Sequence, residues 1–387
     1  MLVNLWYVAE WSKNVKDKPV KTKMLGQNFV LFRDSNGVAK CLSDVCLHRG
    51  GSLGNGFIGT NKKDCVACPY HGWEFSGEGM VEYIPSLGEK GVIPSKARVD
   101  SYPVEERYGM IWVFMGDLEK SKRYPIPPFP EFDDPKWKAV TCEFTWDASA
   151  ERVVENGIDL AHASFVHPGF GYPETAHLNK IASVDRHEWW ATQTSITYPP
   201  LLKGGPLNLR RLLRKDKQET RVHNTFYMSG FTIRLEIEIN SRMTTLLLDA
   251  NTPVDEHTTK SYLIQLRNFF KWDMFDKDTI RRTMQVFQQD ADIIEAASPY
   301  YLPETLENEM SVKQDRFMSV WREMRRKHIE KGWQIDVEQM KKISKHKVLN
   351  IPSPGRRENP DKYMIETVPL VAGVQPVRLV LDDQDVA

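Results

Sequence analysis

Two pairs of metal-ligating residues constrain this chain more than anything else in it: Cys46-x-His48 and Cys68-x-x-His71, with residues 49–67 between them. Two thiolates with two imidazoles suit zinc held tetrahedrally. The same set suits a [2Fe–2S] cluster in which two histidines replace two cysteines on one iron. The surroundings favour iron. In each pair the cysteine precedes the histidine, so two similar loops can grip a cluster from opposite sides. Gly50, Gly51 and Gly72 permit tight turns and close backbone approach, and Pro69 stiffens the second loop. Cys65 makes a competing C-V-A-C pattern with Cys68. Cys68 cannot serve both sites, and Cys65 reads as a spare thiol packed beside the cluster.

The chain is long enough for two or three domains at 387 residues. Lysine plus arginine total 52 and aspartate plus glutamate also 52, a balance that gives no reason to expect nucleic acid or an anionic membrane as partner. No apolar run approaches the length of a membrane span. The first residues lack the basic start and cleavage site of a signal peptide. Five cysteines are an odd count without a disulfide framework, which fits a reducing compartment. A cytoplasmic protein is expected.

Residues 1–116 read as all-β. Phe29–Phe32, the turn signal Asp34-Ser35-Asn36-Gly37 and the run through Leu42 predict a hairpin. Met110-Ile111-Trp112-Val113-Phe114 predicts a buried closing strand. The proline-rich stretch 124–130 marks a boundary. Ala148 to Phe165 then predicts a helix ended by Pro168-Gly169. From Glu188 to Phe270 the pattern is strand-like: Ile233, Leu235, Ile237 and Ile239 alternate with Arg234, Glu236 and Glu238, one dry face and one wet. Further strands are expected at 221–228, 243–252 and 260–270, and helices over Lys277–Ala297 and Val312–Lys331. This order implies an α+β domain with helices packed on a curved antiparallel sheet. The division expected is 1–120, 121–345 and an extended tail over 346–387.

A second constellation lies near residue 156: Asn156, Asp159, His162 and His167, in the pattern N-x-x-D-x-x-H-x-x-x-x-H. The first three are spaced by three, as on one face of a helix. His167 falls off that face, but Pro168 disfavours helical geometry there, so the chain can bend and return the imidazole. Exposed polar residues at a helix end would be the plain alternative. Their apolar company, including Ile158, Leu160 and Val166, argues that they are buried and need partners, and a metal serves two histidines economically. Two histidines call for a carboxylate if the metal is non-haem Fe(II). Asp290 shares a helical face with Phe287, Ile294 and Ala297, whereas Asp292 sits with Gln285, Gln288 and Glu295. Asp290 is the choice.

These motifs resemble those of the Rieske non-haem iron oxygenase α-subunits: C-x-H…C-x-x-H with its H-R-G and C-P-Y-H-G-W extensions, the N-x-x-D-x-x-H helix, and the late aspartate. The N-x-x-D-x-x-H spacing is more like the monooxygenase and demethylase branch. The resemblance implies a Rieske domain with its [2Fe–2S] cluster on Cys46, His48, Cys68 and His71. It further implies a helix-grip (START-like) catalytic domain with mononuclear Fe(II) on His162, His167 and Asp290. O2 is then the co-substrate, one oxygen atom enters a C–H bond of a small organic substrate, and attack on a methoxy or N-methyl carbon ends in demethylation. It also implies a head-to-tail homotrimer, with Asp159 joining His162 to His71 of the next copy, and a catalytic role for Asn156. The string Gly54-Asn55-Gly56-Phe57-Ile58-Gly59 lies in the spacer between the two Cys/His pairs and is no NAD fingerprint, and no flavin motif is present, so electrons are expected from a separate NAD(P)H-dependent reductase or ferredoxin, for which Arg49, Lys62 and Lys63 near the cluster loops are candidate contacts.

A pure electron-transfer protein would explain residues 1–116 and leave the rest idle. A non-catalytic small-molecule binder would leave His162, His167 and Asp290 unexplained. Metal content separates these readings from the oxygenase. Purified protein should be red-brown, with iron to acid-labile sulfide near about 3:2. The reduced sample should give the low average g-value of a histidine-ligated cluster. A ratio of about 1:1 would leave no iron for a second site, and a colourless zinc protein would remove the cluster.

Overall fold

Short strands of alternating apolar residues build three small antiparallel sheets at the N-terminal end. The computed structural model describes residues 1–168, 170, 173–198, 219–303 and 309–374. The expected hairpin is present: Gln27–Arg33 pairs with Ala39–Ser43 around a turn in which Asp34 accepts the N–H groups of Asn36 and Val38. Met110–Met115 is buried throughout and runs between Leu5–Trp11 and Val104–Arg107. The third sheet, Phe57–Ile58, Cys65–Ala67, Glu74–Ser76 and Val81–Tyr83, leads the chain into and out of the second Cys/His loop.

Among the described residues, seven strands form the large sheet. Their order is Lys138–Trp146, Thr259–Arg267, Met243–Pro253, Thr232–Asn240, Thr220–Tyr227, Trp190–Thr197 and Lys180–Arg186, with every neighbour antiparallel. Because side chains alternate along a strand, the sheet has two distinct faces. On one, Leu246, Leu248, Tyr262 and Ile264 pack against Trp6, Trp112 and Phe114, so the first module seals this face. On the other lie helices. Asp276–Ile294 sets Phe287, Ala291 and Ile294 against Trp146 and Leu263. Arg316–Glu330 sets Phe317 and Trp321 against Phe226 and Phe231. The expected α+β arrangement is the one observed. No helix among the described residues is long and apolar enough to cross a membrane.

Two expectations need correction. The helix expected over Ala148–Phe165 is two pieces, Ala150–Ile158 and Ala163–Val166. At the break Asp159 adopts extended geometry (φ −73°, ψ 130°), and its carboxylate accepts the N–H groups of Ala161 and His162. A short acidic side chain that bonds its own neighbours competes with the helical ladder and ends it. Asn156, Asp159 and His162 therefore do not share a face of one helix. Of the expected stop signal, Gly169 lies outside the described residues.

The tail is also more structured than expected. Leu349–Asn350 pairs in parallel with Glu366–Thr367, around a short helix at Pro354–Glu358. It is clasped to the first module by Asp100, fully buried, which accepts from Asn350 Nδ2 (2.7 Å), Ser353 Oγ (2.6 Å) and Arg356 Nε (2.6 Å) and Nη2 (2.7 Å). Residues 375–387 of the expected tail lie outside the described residues.

A buried histidine in the Arg316–Glu330 helix carries a pH signature. His328 donates from Nδ1 to the Met324 carbonyl (2.7 Å) and accepts at Nε2 from the Tyr124 hydroxyl (3.1 Å), so it is neutral. Burial pushes its pKa down from 6.5 to about 4, against the Met324 carbonyl and with help from the Lys331 charge. Between these values the unfolded chain binds a proton that the folded chain refuses, so this residue costs stability as pH falls from about 6.5 toward 4. His328→Gln should destabilise the protein at pH 7.5. The gap between wild type and variant in chemical unfolding should narrow by pH 5, and a gap that stays constant would contradict a neutral imidazole.

Candidate active site

The two Cys/His loops fold alike. In the first, the Cys46 N–H donates to the Gly51 carbonyl (2.8 Å) and the Gly50 N–H to the Cys46 carbonyl (2.9 Å). In the second, Cys68 donates to Trp73 (2.9 Å) and Gly72 to Cys68 (2.9 Å). Gly50 and Gly72 both have positive φ, 72° and 69°, where a side chain is disfavoured. A Cβ on Gly51 would stand 2.8 Å from Cys68 Sγ, so the loops close on each other only because that position is bare. Buried acids brace the surroundings: Asp44 holds Ser52 after the first loop (2.7 Å), and Glu74, just after the second, accepts the N–H groups of Thr60, Asn61 and Lys62 in the spacer.

Within this frame Cys46 and Cys68 are buried free thiols side by side. Burial pushes the Cys46 thiol up to about 12, and a bound cation is what converts such thiols to thiolates. His48 and His71 meet edge to face with ring centres 4.5 Å apart, and His48 stacks on Trp73 at 4.6 Å. His48 Nδ1 is buried without a hydrogen-bond partner. Two thiols, two imidazoles and an unpartnered ring nitrogen fit a histidine-ligated cluster. Cys65 is buried in the adjoining strand, as expected of a spare thiol. Arg49, Lys62 and Lys63 are exposed on the loops.

The second constellation draws on two distant segments. His162 opens the short helix Ala163–Val166 and His167 closes it, in extended geometry (φ −114°, ψ 95°) before Pro168. Asp290 arrives from the helix Asp276–Ile294. His162 Nε2 and His167 Nε2 are 3.3 Å apart, and Asp290 Oδ1 lies 3.3 Å from the first and 3.1 Å from the second. Donors about 2.1 Å from one ion and at roughly right angles lie about 3.0 Å apart, so the triangle fits a single metal. Among the described residues this is the one group of three or more such side chains close enough to share an ion. Asp292 instead is exposed and accepts from Gln288 Nε2 (2.9 Å).

Each imidazole is aimed from behind. Asp159 Oδ2 lies 3.3 Å from His162 Nδ1, and Gln289 Oε1 lies 3.0 Å from His167 Nδ1. Acceptors at Nδ1 leave the Nε2 lone pairs pointing at each other, the tautomer a metal ligand needs. Burial works against a charged His162, yet Asp159 and Asp290 outweigh it and push its pKa up to about 9. Asp290, despite burial, is held down at about 2 by the two imidazoles. A divalent cation would take the place of the protons these groups gather.

A cavity of about 300 Å³ opens beside the triangle, at the small end of the usual range for ligand sites. Its wall includes the alternating face of Thr232–Asn240, so the dry face seen in the sequence is lining as well as core: Ile233, Leu235, Ile237 and Ile239. Asn156 also lines it. Sequence reasoning missed Gln289, Asn224 and Asp249. The last stands alone among the apolar neighbours Leu246, Leu247, Leu248 and Ala250, which was a signal available to find it.

Comparison with known proteins agrees with both halves. The family model described as Rieske [2Fe-2S] domain matches residues 5–103, and the one described as Vanillate O-demethylase oxygenase C-terminal domain matches residues 146–331. Methylxanthine N1-demethylase NdmA of Pseudomonas putida is 29% identical over 307 residues, spanning 77% of this chain and 79% of that protein. The oxygenase component of dicamba O-demethylase from Stenotrophomonas maltophilia is 34% identical over 164 residues, 42% of this chain and 47% of its own length. The structure of P. putida NdmA with caffeine is similar with a TM-score of 0.68 at 28% identity, covering 83% of this chain and 89% of that one. The chain belongs to the Rieske non-haem iron oxygenases, in the branch that contains demethylases and monooxygenases.

Proposed function

We propose that this protein is a terminal oxygenase whose mononuclear iron is held by His162, His167 and Asp290, and whose cluster is held by Cys46, His48, Cys68 and His71. The observation that carries the reading is the triangle of ligand atoms with edges of 3.1–3.3 Å beside a largely apolar cavity. Iron bound there, supplied with electrons from the cluster, provides the O2 activation needed to oxidise a C–H bond. The chain's own residues do the rest. Asp159 and Gln289 orient the two imidazoles, the aliphatic wall excludes water and orients a small organic substrate, and Asn156 lines the approach. Relatives named for N- and O-demethylation favour a methyl carbon on nitrogen or oxygen as the point of attack. The division into 1–120, 121–345 and a tail from 346 is kept, with a shared core between the first two.

Electrons come from a separate ferredoxin or reductase, and the chain works in the cytoplasm as a head-to-tail homotrimer. Support for the assembly lies in two exposed apolar side chains, Tyr70 beside His71 and Phe165 beside the His162 helix, at the two surfaces such a contact would join. In that contact the Asp159 carboxylate would reach His71 of the next copy while keeping its bond to His162.

Asp290→Ala should lose the mononuclear iron and keep the cluster colour, whereas Asp292→Ala should keep both, measured by iron content and visible absorption. The opposite pattern would refute the ligand set. Gln289→Leu should weaken iron binding by about tenfold or more. Asp159→Asn should retain the cluster and most of the iron yet abolish single-turnover reoxidation of the reduced cluster with substrate and O2. Wild-type reoxidation in that variant would dispose of its bridging role.

A further inference from the structure

The cavity wall holds two oxygen acceptors that nothing among the described residues satisfies. Asp249 lies on the strand Met243–Pro253, on the face that also places Leu247 against the cavity. It is 5% exposed. A chain of hydrogen bonds locks one end of its carboxyl group: Trp146 Nε1 donates to Ser261 Oγ (2.8 Å), Ser261 donates to Asn251 Oδ1, and Asn251 Nδ2 donates to Asp249 Oδ2 (3.1 Å). Asp249 Oδ1 has no partner among the described residues. Asn224, on the strand Thr220–Tyr227, is 6% exposed and donates from Nδ2 to the Gly157 carbonyl (2.8 Å). A carbonyl can only accept, so the amide orientation is fixed and Oδ1 is the free end. Asn224 Oδ1 is likewise unpartnered.

Both residues sit among aliphatic side chains, where an acceptor without a donor is costly and persists when a ligand supplies the donor. The charge of the cavity sets the sign of that ligand. Among the described residues that line it, the charged groups besides the two histidines are Asp159, Asp249 and Asp290, with no lysine or arginine. Asp159 and Asp290 are engaged with the imidazoles. Asp249 has no cationic partner within the described residues, and burial, reinforced by the Asp290 charge, pushes its carboxyl up to about 7 against the Asn251 hydrogen bond. Apart from the two histidines, the described lining residues offer a carboxylate substrate no counter-charge. A group that brings its own positive charge and N–H donors would satisfy it.

We propose that Asp249 and Asn224 form the polar anchor of the substrate cavity, and that the substrate presents to them a cationic nitrogen group with N–H donors, such as an amidine, a guanidine or a protonated amine. The assignment rests on the oxygenase reading for the identity of the cavity and adds the class of molecule that enters it. Asp249 and Asn224 grip one end of the substrate, and the aliphatic wall directs the remainder toward His162, His167 and Asp290.

Three probes of nearly one shape and different charge test this: benzamidine, benzamide and benzoate, titrated calorimetrically into the iron-loaded protein. Benzamidine should bind most tightly, benzamide more weakly by about tenfold, and benzoate weakest. Asp249→Asn, which keeps the shape and removes the charge, should weaken benzamidine by about tenfold or more and change benzamide by less than about threefold. Asn224→Leu should weaken both donors. Cluster absorption and iron content show whether each variant is folded, and the ranking on wild type needs no variant. The proposal is overturned if benzoate or benzamide matches benzamidine, if benzamidine fails to bind the wild type, or if folded Asp249→Asn binds it undiminished. Failure of the oxygenase reading would show separately, as a missing cluster signal or missing mononuclear iron.

Discussion

Asp290 Oδ1, 3.1 Å from His167 Nε2 and 3.3 Å from His162 Nε2, is the contact on which the working half of this molecule depends. It joins a long helix to a two-piece segment far away in sequence. The charges of the group are coupled, since the imidazoles hold the carboxylate ionised against its burial. Everything nearby serves to hold that triangle rigid. Pro168 turns His167 back, Asp159 ends one helix and aims His162, and Gln289 aims His167 from the residue next to Asp290.

The seven-stranded sheet makes this possible by having two unlike faces. One is sealed by Trp6, Trp112 and Phe114 of the first module, a contact that buries large side chains and ties the cluster module to the catalytic one. The other is only partly filled by helices, and the remaining space is the cavity. The Phe287 face of the Asp276–Ile294 helix packs on Trp146 and Phe144, which sets the depth of Asp290 against that space. The tail adds a second tie, through the buried Asp100 and its four hydrogen bonds from Asn350, Ser353 and Arg356. Removing a partner from such a buried charged network costs more than an exposed ion pair would, because the remaining charge is left unsolvated.

Some of the buried polar atoms without a hydrogen-bond partner lie where chemistry is expected, while others, such as Gln193 Oε1 and Trp321 Nε1, lie elsewhere in the fold. His48 Nδ1 lies at the cluster loops, and Asn224 Oδ1 and Asp249 Oδ1 lie on the cavity wall. Folding alone gives no reason to bury an acceptor without a donor, and a bound ion or ligand does. The same reasoning joins the proposed metal ligands to the proposed recognition residues.

What the sequence determined by itself was local. Cys46, His48, Cys68 and His71 were legible because each pair sits in one tight loop whose glycines permit one kind of turn. Asp290 was separable from Asp292 because helical phase puts one among apolar neighbours and the other among glutamines. Pro168 announced the bend that returns His167, since it restricts the residue before it. The break at Asp159 was not legible, because it depends on a side chain capturing the N–H groups of Ala161 and His162 that a helix would have used. Nor were Gln289, Asn224 and Asp249. Periodicity says which residues of a strand share a face, but not which face meets solvent, core or cavity. That was decided by strand register and by which module covers the opposite side. The wrapping of the tail onto Asp100 was likewise invisible, since its partners lie some 250 residues apart and meet only when both modules have folded.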